Sequence, residues 1–233
     1  MITHVIKSPE DEKIINELSS KSIIVNAQPD NYRGIVVPKP WGIEFLCYED
    51  NCIAAWFLSI DKGHSTSMHC HPNKRTVLII LSGIALGRTL HGSAILNPGK
   101  IVVYEPGVFH ATKSLTGIEM AEIESPNWKG DLLRYNDNYD RVGIGYEDKK
   151  TFTKSCEAFY LDSTNPVFSK SHYSISKGDT IKCGEINIIG ENLSDIAPNT
   201  CILDDQDRIF KNSNILRFKF PNKENRYECC KHI

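Results

Sequence analysis

The chain has 233 residues, of which 24% are charged, and its formal net charge is −2. A chain of this length can bury a substantial core in one large or two small domains. The small net charge gives no general field for nucleic acid or an anionic membrane surface, and no apolar run approaches the length of a membrane span. We therefore expect neither nucleic acid nor a membrane as a partner.

The eight cysteines are scattered along the chain, apart from an adjacent pair at Cys229 and Cys230, and the sequence has no CxxC pair. The first residues lack the apolar segment of a secretory signal peptide. Disulfides belong to oxidising compartments, so these cysteines are better interpreted as reduced thiols. We expect a cytoplasmic protein.

The first 33 residues are interpreted as an N-terminal arm with one short helix. Ser8 followed by Pro9 is typical of a helix N-cap and first helical position, and apolar side chains then recur at helical spacing. The helix is expected to end near Ser20. Short strands are predicted over residues 21–26 and 33–37.

Three histidines lie at the ends of predicted strands. His69 and His71 are separated by one residue, so both side chains point to the same face of a β-strand. The apolar run 77–81 is predicted to return as the next strand. Farther along, a strand over residues 101–104 leads through a Pro-Gly turn to His110. A small barrel that brings these three imidazoles together would form a metal site.

The histidines and their neighbouring glycines resemble the two signatures of the cupins. Gly63, five residues and the His69-x-His71 pair, with Gly83 beyond, fit the first signature. Gly99, five residues and Glu105-Pro106-Gly107-x-x-His110 fit the second. The resemblance covers roughly residues 34–141. It implies an all-β fold, the double-stranded β-helix or jelly-roll barrel of the cupins, with a short N-terminal helix and a β-rich C-terminal extension.

One departure from the family concerns the metal ligands. Cupins usually place a glutamate four or five residues after the second histidine, where this chain has Arg75 and Thr76. The spacing to Gly83 makes Thr76 the better match. The resemblance therefore implies a three-histidine site with no carboxylate ligand. Imidazole ligands suit several divalent ions, and zinc, iron, nickel and manganese all stay open.

The motif Lys39-Pro40-Trp41-Gly42 resembles the start of the sugar-phosphate cupins, in particular the cupin domain of bifunctional mannose-6-phosphate isomerases. The resemblance implies a small carbohydrate substrate. Trp41 could stack on a sugar ring and Lys39 could contact a phosphate, or Trp41 could plug the barrel while Lys39 is solvated. Glu44 is a candidate acid or base, with an exposed strand carboxylate as the alternative.

Four further residues are candidates around the same site. Lys74 and Arg75 could hold a phosphate or carboxylate, although a solvated turn explains both equally well. Thr76 could hold a water molecule beside the metal. Tyr104 could line the cavity as a second catalytic candidate, with core packing as the alternative.

The remainder of the chain is β-rich in pattern. The barrel is assigned to residues 34–147 and the C-terminal extension to residues 156–233. Within the extension, a hairpin is predicted for residues 176–181 with 185–190, and three more short strands follow. They are predicted at residues 200–203, 208–210 and 215–220. The extension is either a degenerate half-cupin or a sheet exchanged between two copies, and we expect a homodimer.

These residues together predict a metal-dependent isomerase or epimerase that acts on a sugar or sugar phosphate of a nucleotide-sugar pathway. Two alternatives stay open. A three-histidine Fe(II) centre would suit a dioxygenase, and loss of the usual glutamate would suit a non-catalytic sugar-binding cupin.

Overall fold

The computed structural model describes residues 2–24, 26–162, 164–170, 173–178, 180–181, 185–190, 201–203, 208–209 and 214–219. Within these residues there is one α-helix, α1 (Pro9–Ser19), and one 3-10 turn (Lys149–Thr151). The first strands are β1 (Ile2–Val5), β2 (Ile35–Lys39), β3 (Gly42–Glu49), β4 (Ala54–Ile60), β5 (Met68–Cys70), β6 (Arg75–Ser82), β7 (Ala85–Thr89), β8 (Ser93–Leu96), β9 (Ile101–Tyr104), β10 (His110–Ser114), β11 (Ile118–Ser125), β12 (Leu133–Asn136) and β13 (Thr153–Lys154). They are followed by β14 (Val167–Ser169), β15 (Ser174–Gly178), β16 (Thr180–Ile181), β17 (Glu185–Gly190), β18 (Cys201–Leu203), β19 (Arg208–Ile209) and β20 (Asn214–Lys219).

Strands β4 to β11 form a jelly roll between two facing sheets. One sheet has the order β1-β9-β6-β11-β4-β3-β2-β13, and the other has the order β12-β5-β10-β7-β8. Strands β4, β6, β9 and β11 lie in the first sheet, and β5, β7, β8 and β10 lie in the second. The chain therefore crosses repeatedly between the sheets, which is the double Greek key of a jelly roll. The predicted all-β double-stranded β-helix with one short helix is confirmed.

The central strands of the eight-stranded sheet are buried on both faces. In β4, Phe57 belongs to the core outside the barrel, and Leu58 belongs to the core between the two sheets. In β6, Ile79 belongs to the core outside the barrel and Ile80 to the core between the two sheets. Because both faces of these strands need apolar side chains, β4 and β6 are continuous apolar runs rather than alternating patterns.

The outer face of this sheet is covered by the C-terminal extension. Phe159 packs on Phe45 and Phe57 and stacks on Phe168, with 3.7 Å between the last two ring centroids. Tyr173 is buried in the same core. The described side chains of the extension thus complete the barrel's own outer core.

The pairing of strands in the extension differs from the predicted hairpin. β20 lies between β15 and β17 and is antiparallel to both, so the two predicted hairpin strands do not pair with each other. The three later strands were predicted at the right places, as β18, β19 and β20. Phe210 and Phe220, which the predicted strands included, lie outside the described residues. A turn signal between two apolar runs favours a local hairpin, and in this sheet the later strand β20 takes the place between them.

The helix α1 covers the five-stranded sheet and begins as predicted. The Ser8 side chain accepts a hydrogen bond from the backbone N–H of Asp11, whose carboxylate in turn accepts one from the N–H of Ser8. Asp11 also accepts a hydrogen bond from the backbone N–H of Phe109 at 2.9 Å, which joins the helix to the residue before His110. Ile14 packs in the core on this side of the barrel.

Two shorter predictions have mixed outcomes. The strand predicted at residues 33–37 is present as β2. The strand predicted at residues 21–26 is reduced, among its described residues, to one bridge between Ile24 and Ile144. No helix among the described residues has the length and apolarity that crossing a membrane requires. The cysteines whose side chains the structure describes form no disulfide; they are Cys47, Cys52, Cys70 and Cys156.

Candidate metal centre

The structure brings the three histidines together at one side of the cavity between the sheets. His69 in β5 and His110 in β10 are direct cross-strand partners, with 4.6 Å between their ring centroids. His71 lies one residue beyond β5, where its carbonyl accepts a hydrogen bond from the N–H of Gly107 at 2.8 Å. Its ring centroid is 5.1 Å from that of His69 and 5.8 Å from that of His110. Sheet register and one loop contact therefore set the positions of the three rings.

Each histidine donates its Nδ1 hydrogen to a main-chain carbonyl. In chain order of the histidines, the acceptors are the carbonyls of Ser67 at 2.8 Å, Asp131 at 2.5 Å and Val108 at 3.0 Å. A carbonyl oxygen can only accept, so Nδ1 carries the proton and Nε2 keeps its lone pair. The atoms that the three rings offer to a metal lie within 4.8 Å of one another.

Burial keeps these imidazoles neutral. It lowers the pKa of all three below that of an ordinary histidine, and the pKa of His110 falls to about 4. The Nε2 atom of His71 is buried and has no hydrogen-bond partner among the described residues. An orphaned buried nitrogen is costly unless something pairs with it, and neutral imidazole is the form that binds metals. The donor set therefore fits a divalent metal ion.

Two carboxylates of β11 lie beside the histidines. The Oε1 atom of Glu122 is 4.0 Å from the Nε2 atom of His71. The ligand atoms of His71, Glu122 and Glu124 also lie within 4.8 Å of one another. Glu124 is the direct cross-strand partner of Thr76 in β6. The strand beside Thr76 therefore brings two carboxylates close to His71, which the expectation of a site without carboxylates did not include.

The two carboxyl groups differ in their electrostatic surroundings. Glu124 is buried, but the Lys129 and Lys74 charges outweigh that burial and lower its pKa; its Oε1 atom accepts a hydrogen bond from the Lys74 Nζ atom at 2.6 Å. Its Oε2 atom has no hydrogen-bond partner among the described residues. Burial and the neighbouring Glu124 charge raise the pKa of Glu122 to about 7. One face of β11 thus holds one ionised carboxylate and one that is harder to ionise.

The cavity also contains Glu44, within a buried charge network. Its carboxylate lies 3.1 Å from the Lys129 Nζ atom and 3.4 Å from the Lys39 Nζ atom, and it accepts a hydrogen bond from the Tyr146 hydroxyl. Burial alone would raise the pKa of Glu44, but Lys129, Lys39 and Tyr146 together lower it. All three contacts reach the Oε1 atom, so they fix the orientation of this carboxylate, and its role as the base that the sequence suggested stays a prediction.

The predicted substrate contacts are divided between the cavity and its surroundings. Lys39, Trp41 and Glu44 line the cavity together with the three histidines. Lys39 is buried and paired with Glu147 and Glu44, which excludes the solvated alternative. Trp41 is 4% exposed. It presents part of its surface to the cavity while packing in the inner core.

The other predicted residues do not line the cavity. Lys74 is 1% exposed and bound to Glu124, and Arg75 forms a two-pronged contact with one Glu105 oxygen at 2.7 and 3.0 Å. Thr76 is buried, and its hydroxyl has no hydrogen-bond partner among the described residues. Tyr104 stacks on the His110 ring at 4.1 Å between centroids, and burial raises its pKa to about 12. Tyr104 therefore packs against the His110 ring outside the cavity lining and helps to hold it in place.

The sequence interpretation did not select four residues that line the cavity: Glu122, Glu124, Lys129 and Tyr146. The sequence holds one signal for the first two. Glu122 and Glu124 lie in a strand that is otherwise apolar, with Met120 and Ala121 before them and Ile123 between them. When both faces of a strand carry apolar side chains, both faces are buried, and so are any carboxylates on them. Buried carboxylates with shifted pKa values are often found at functional sites. Lys129 and Tyr146 come from irregular segments that give no comparable signal.

Several solved structures resemble parts of this fold. No protein-family model matches the sequence, and no curated protein matches it. DMSP lyase DddQ from Ruegeria pomeroyi DSS-3 is 19% identical with a TM-score of 0.37, over 40% of this chain and 50% of that one. An uncharacterized conserved protein with a double-stranded β-helix domain from Klebsiella pneumoniae is 17% identical with a TM-score of 0.38, over 48% and 91% of the two chains. An RmlC-like cupin from Shewanella frigidimarina is 18% identical with a TM-score of 0.35, over 42% and 81%. At these values the activity has to be argued from the site itself.

Proposed function

We propose that the chain is a divalent-metal enzyme that moves a proton on a small carbohydrate, as a sugar or sugar-phosphate isomerase or epimerase does. The observation that supports this best is the joint arrangement of His69, His71, His110 and Glu124. Three neutral imidazoles offer their Nε2 atoms to one region, and an ionised carboxylate with one unbonded oxygen lies beside them.

The proposal gives the histidines and Glu124 different roles. The three histidines would hold the metal ion, which when bound supplies a Lewis acid that polarises a substrate carbonyl. Glu124 is fixed through Oε1 by Lys74 at 2.6 Å, so its Oε2 atom has a defined direction. That oxygen would take the proton from the carbon next to the carbonyl and return it on the same face to the neighbouring carbon in an isomerisation. An epimerisation would need a second acid that supplies a proton on the opposite face. The proton is conserved and no oxidant is needed.

The rest of the cavity supports a polyhydroxylated substrate. The paired lysines and carboxylates that line the cavity offer both donors and acceptors, which sugar hydroxyls can use in either role. Trp41 adds an apolar surface of the kind on which a sugar ring packs.

Deuterium exchange tests the proposed chemistry. Metal-loaded protein in D₂O is incubated with a panel of aldoses, ketoses and sugar phosphates, and NMR measures replacement of the carbon-bound hydrogen next to the carbonyl. We expect exchange with at least one substrate. Glu124→Gln should slow it by roughly 10²–10⁴-fold, as for loss of a general base.

Glu119→Gln is the matched control for Glu124→Gln, because Glu119 lies on the same strand and pairs with Lys170 outside the cavity. It should leave the exchange rate unchanged. Absence of exchange throughout the panel, combined with oxygen consumption by iron-loaded protein, would contradict the proposal and favour a dioxygenase.

The ligand assignment is tested separately by elemental analysis of purified protein. His69→Ala and His110→Ala should each remove most of the bound metal, because each deletes one of the three imidazoles that the described residues bring to the site. Full metal loading of both variants would show that the metal binds elsewhere.

A further inference from the structure

The position that the cupin resemblance assigns to a glutamate is filled here by a side chain that cannot bind a metal well. Thr76 is 1% exposed, and its hydroxyl has no hydrogen-bond partner among the described residues. Across the β6–β11 ladder, Thr76 is the direct partner of Glu124, and Leu78 is the direct partner of Glu122. Direct partners in a ladder share a face of the sheet. The carboxylates of β11 therefore extend over the same face as position 76.

Glu122 and Glu124 differ in the cationic side chains that lie close to their carboxylates. Glu124 has the Lys74 ammonium at 2.6 Å and the Lys129 ammonium at 3.9 Å. In the part of the chain that the structure describes, no lysine or arginine comes within 4.0 Å of the Glu122 carboxylate, and its nearest ring nitrogen is the His71 Nε2 atom at 4.0 Å. Both of these side chains are buried. A buried carboxylate without a cation is costly, and a cation held by the histidines would remove that cost.

We propose that Glu122 is the fourth protein ligand of the metal ion, replacing from β11 the carboxylate that β6 lacks at Thr76. This rests on the metal site of the proposed function. It also assigns the two carboxylates different tasks: Glu122 binds the metal, and Glu124, held by Lys74, moves the proton. With Glu122 bound, the metal has three histidine ligands and one carboxylate ligand. The carboxylate then comes from β11 and not from position 76 of β6.

Metal affinity tests the assignment without any substrate. Competition with a chromogenic chelator measures the dissociation constants of Zn²⁺ and Co²⁺, and absorption spectra report the coordination of bound Co²⁺. Glu122→Gln keeps the size of the side chain and removes its charge. We expect about 10–100-fold weaker binding, at least the loss seen when a partner of a metal ligand is removed, and a changed Co²⁺ spectrum.

Three further proteins control this measurement. Glu119→Gln, the same change on the other face of β11, should bind both metals as the wild type does. Adding Thr76→Glu to Glu122→Gln should restore at least part of the affinity, because the new carboxylate extends over the same face. Glu122→Asp draws the carboxylate back by one methylene, and it should alter the Co²⁺ spectrum even if the glutamine variant does not fold.

The possible failures are distinguishable. Wild-type protein that binds neither metal overturns the proposed function. Wild-type protein that binds metal while Glu122→Gln stays within twofold of its affinity, with an unchanged Co²⁺ spectrum, overturns only the role of Glu122. An unchanged spectrum in Glu122→Asp has the same meaning.

Discussion

Single residues in the cavity are mostly charged groups that compensate one another. Lys39, Glu44, Glu147 and Lys129 are joined in a chain of ion pairs, all of them largely buried. Such pairs contribute modestly to stability as a whole, because the cost of removing both charges from water offsets their attraction. Loss of one partner is different, since it leaves an uncompensated charge in the interior.

Glu44→Gln should therefore destabilise the protein by about 3 kcal/mol at neutral pH, because Lys39 and Lys129 lose their shared carboxylate. Since folding lowers the pKa of Glu44, its contribution is present above the ordinary value of 4.5 and is lost as the pH falls through the lower, folded value. The variant should consequently lose less stability than the wild type on acidification. Urea unfolding at several pH values measures both effects.

Glu49→Gln provides the control for this change, because Glu49 ends the same strand outside the cavity. It should alter the free energy of unfolding by no more than about 0.5 kcal/mol. Equal losses in the two variants would show that the charge network around Glu44 is not what stabilises this region.

At this scale the sequence predicted the histidines but not their carboxylate neighbours. His69, His71 and His110 are recognisable because spacing along one strand and one turn determines where they point. Glu122 and Glu124 matter because β11 lies beside β6, and that adjacency is a property of the folded sheet. The apolar residues of this strand show that the carboxylates are buried, but they do not show which residues the carboxylates meet.

Among the elements, α1 shows how a local signal acquires a long-range role. The capping box of Ser8 and Asp11 was predictable in part, from the serine and the proline that follows it. The hydrogen bond from the Phe109 N–H to the Asp11 carboxylate was not, because the two residues are far apart in the chain. Through this bond the helix start supports the segment that ends in His110.

Asp11→Ala should lower the free energy of unfolding by roughly 2–3 kcal/mol. It removes the carboxylate that accepts from the Ser8 N–H in the capping box, and it removes the buried acceptor of the Phe109 N–H. An unpaired buried donor costs about 1–3 kcal/mol. Glu12→Ala in the same helical turn removes only an exposed contact with Lys7 and should cost less than about 1 kcal/mol. Thermal or urea unfolding of both variants compares them, and similar losses would contradict a special role for Asp11.

For the whole molecule, the outer face of the large sheet depends on residues that follow the barrel in sequence. The apolar runs of β4 and β6 predicted buried strands but not what covers their outer face. Phe159, Tyr173 and Phe218 cover it in the structure. The division into a barrel over residues 34–147 and an extension over residues 156–233 stays a prediction, although a shared core favours a single cooperative unit.

Phe159→Ala should destabilise the protein by about 3–4 kcal/mol, because the ring is buried against Phe45, Phe57 and Phe168. Val167→Ala changes an exposed residue of the same extension and should cost no more than about 0.5 kcal/mol. Urea unfolding followed by tryptophan fluorescence and by circular dichroism should give one coincident transition. Two separate transitions would show that the extension unfolds independently of the barrel.

Three main-chain carbonyls accept the histidine Nδ1 hydrogens. These hydrogen bonds also determine how many protons the imidazoles release when a metal binds. Each imidazole already holds its single proton on the side away from the shared region. Coordination through Nε2 displaces none of these protons, in contrast to a thiolate site, where each cysteine must first be deprotonated. The rings are also aligned when the chain folds, so little reorientation remains when an ion arrives. In the Glu122→Gln variant, which lacks the carboxyl group whose pKa is raised, calorimetric enthalpies of metal binding should therefore depend little on the ionisation enthalpy of the buffer.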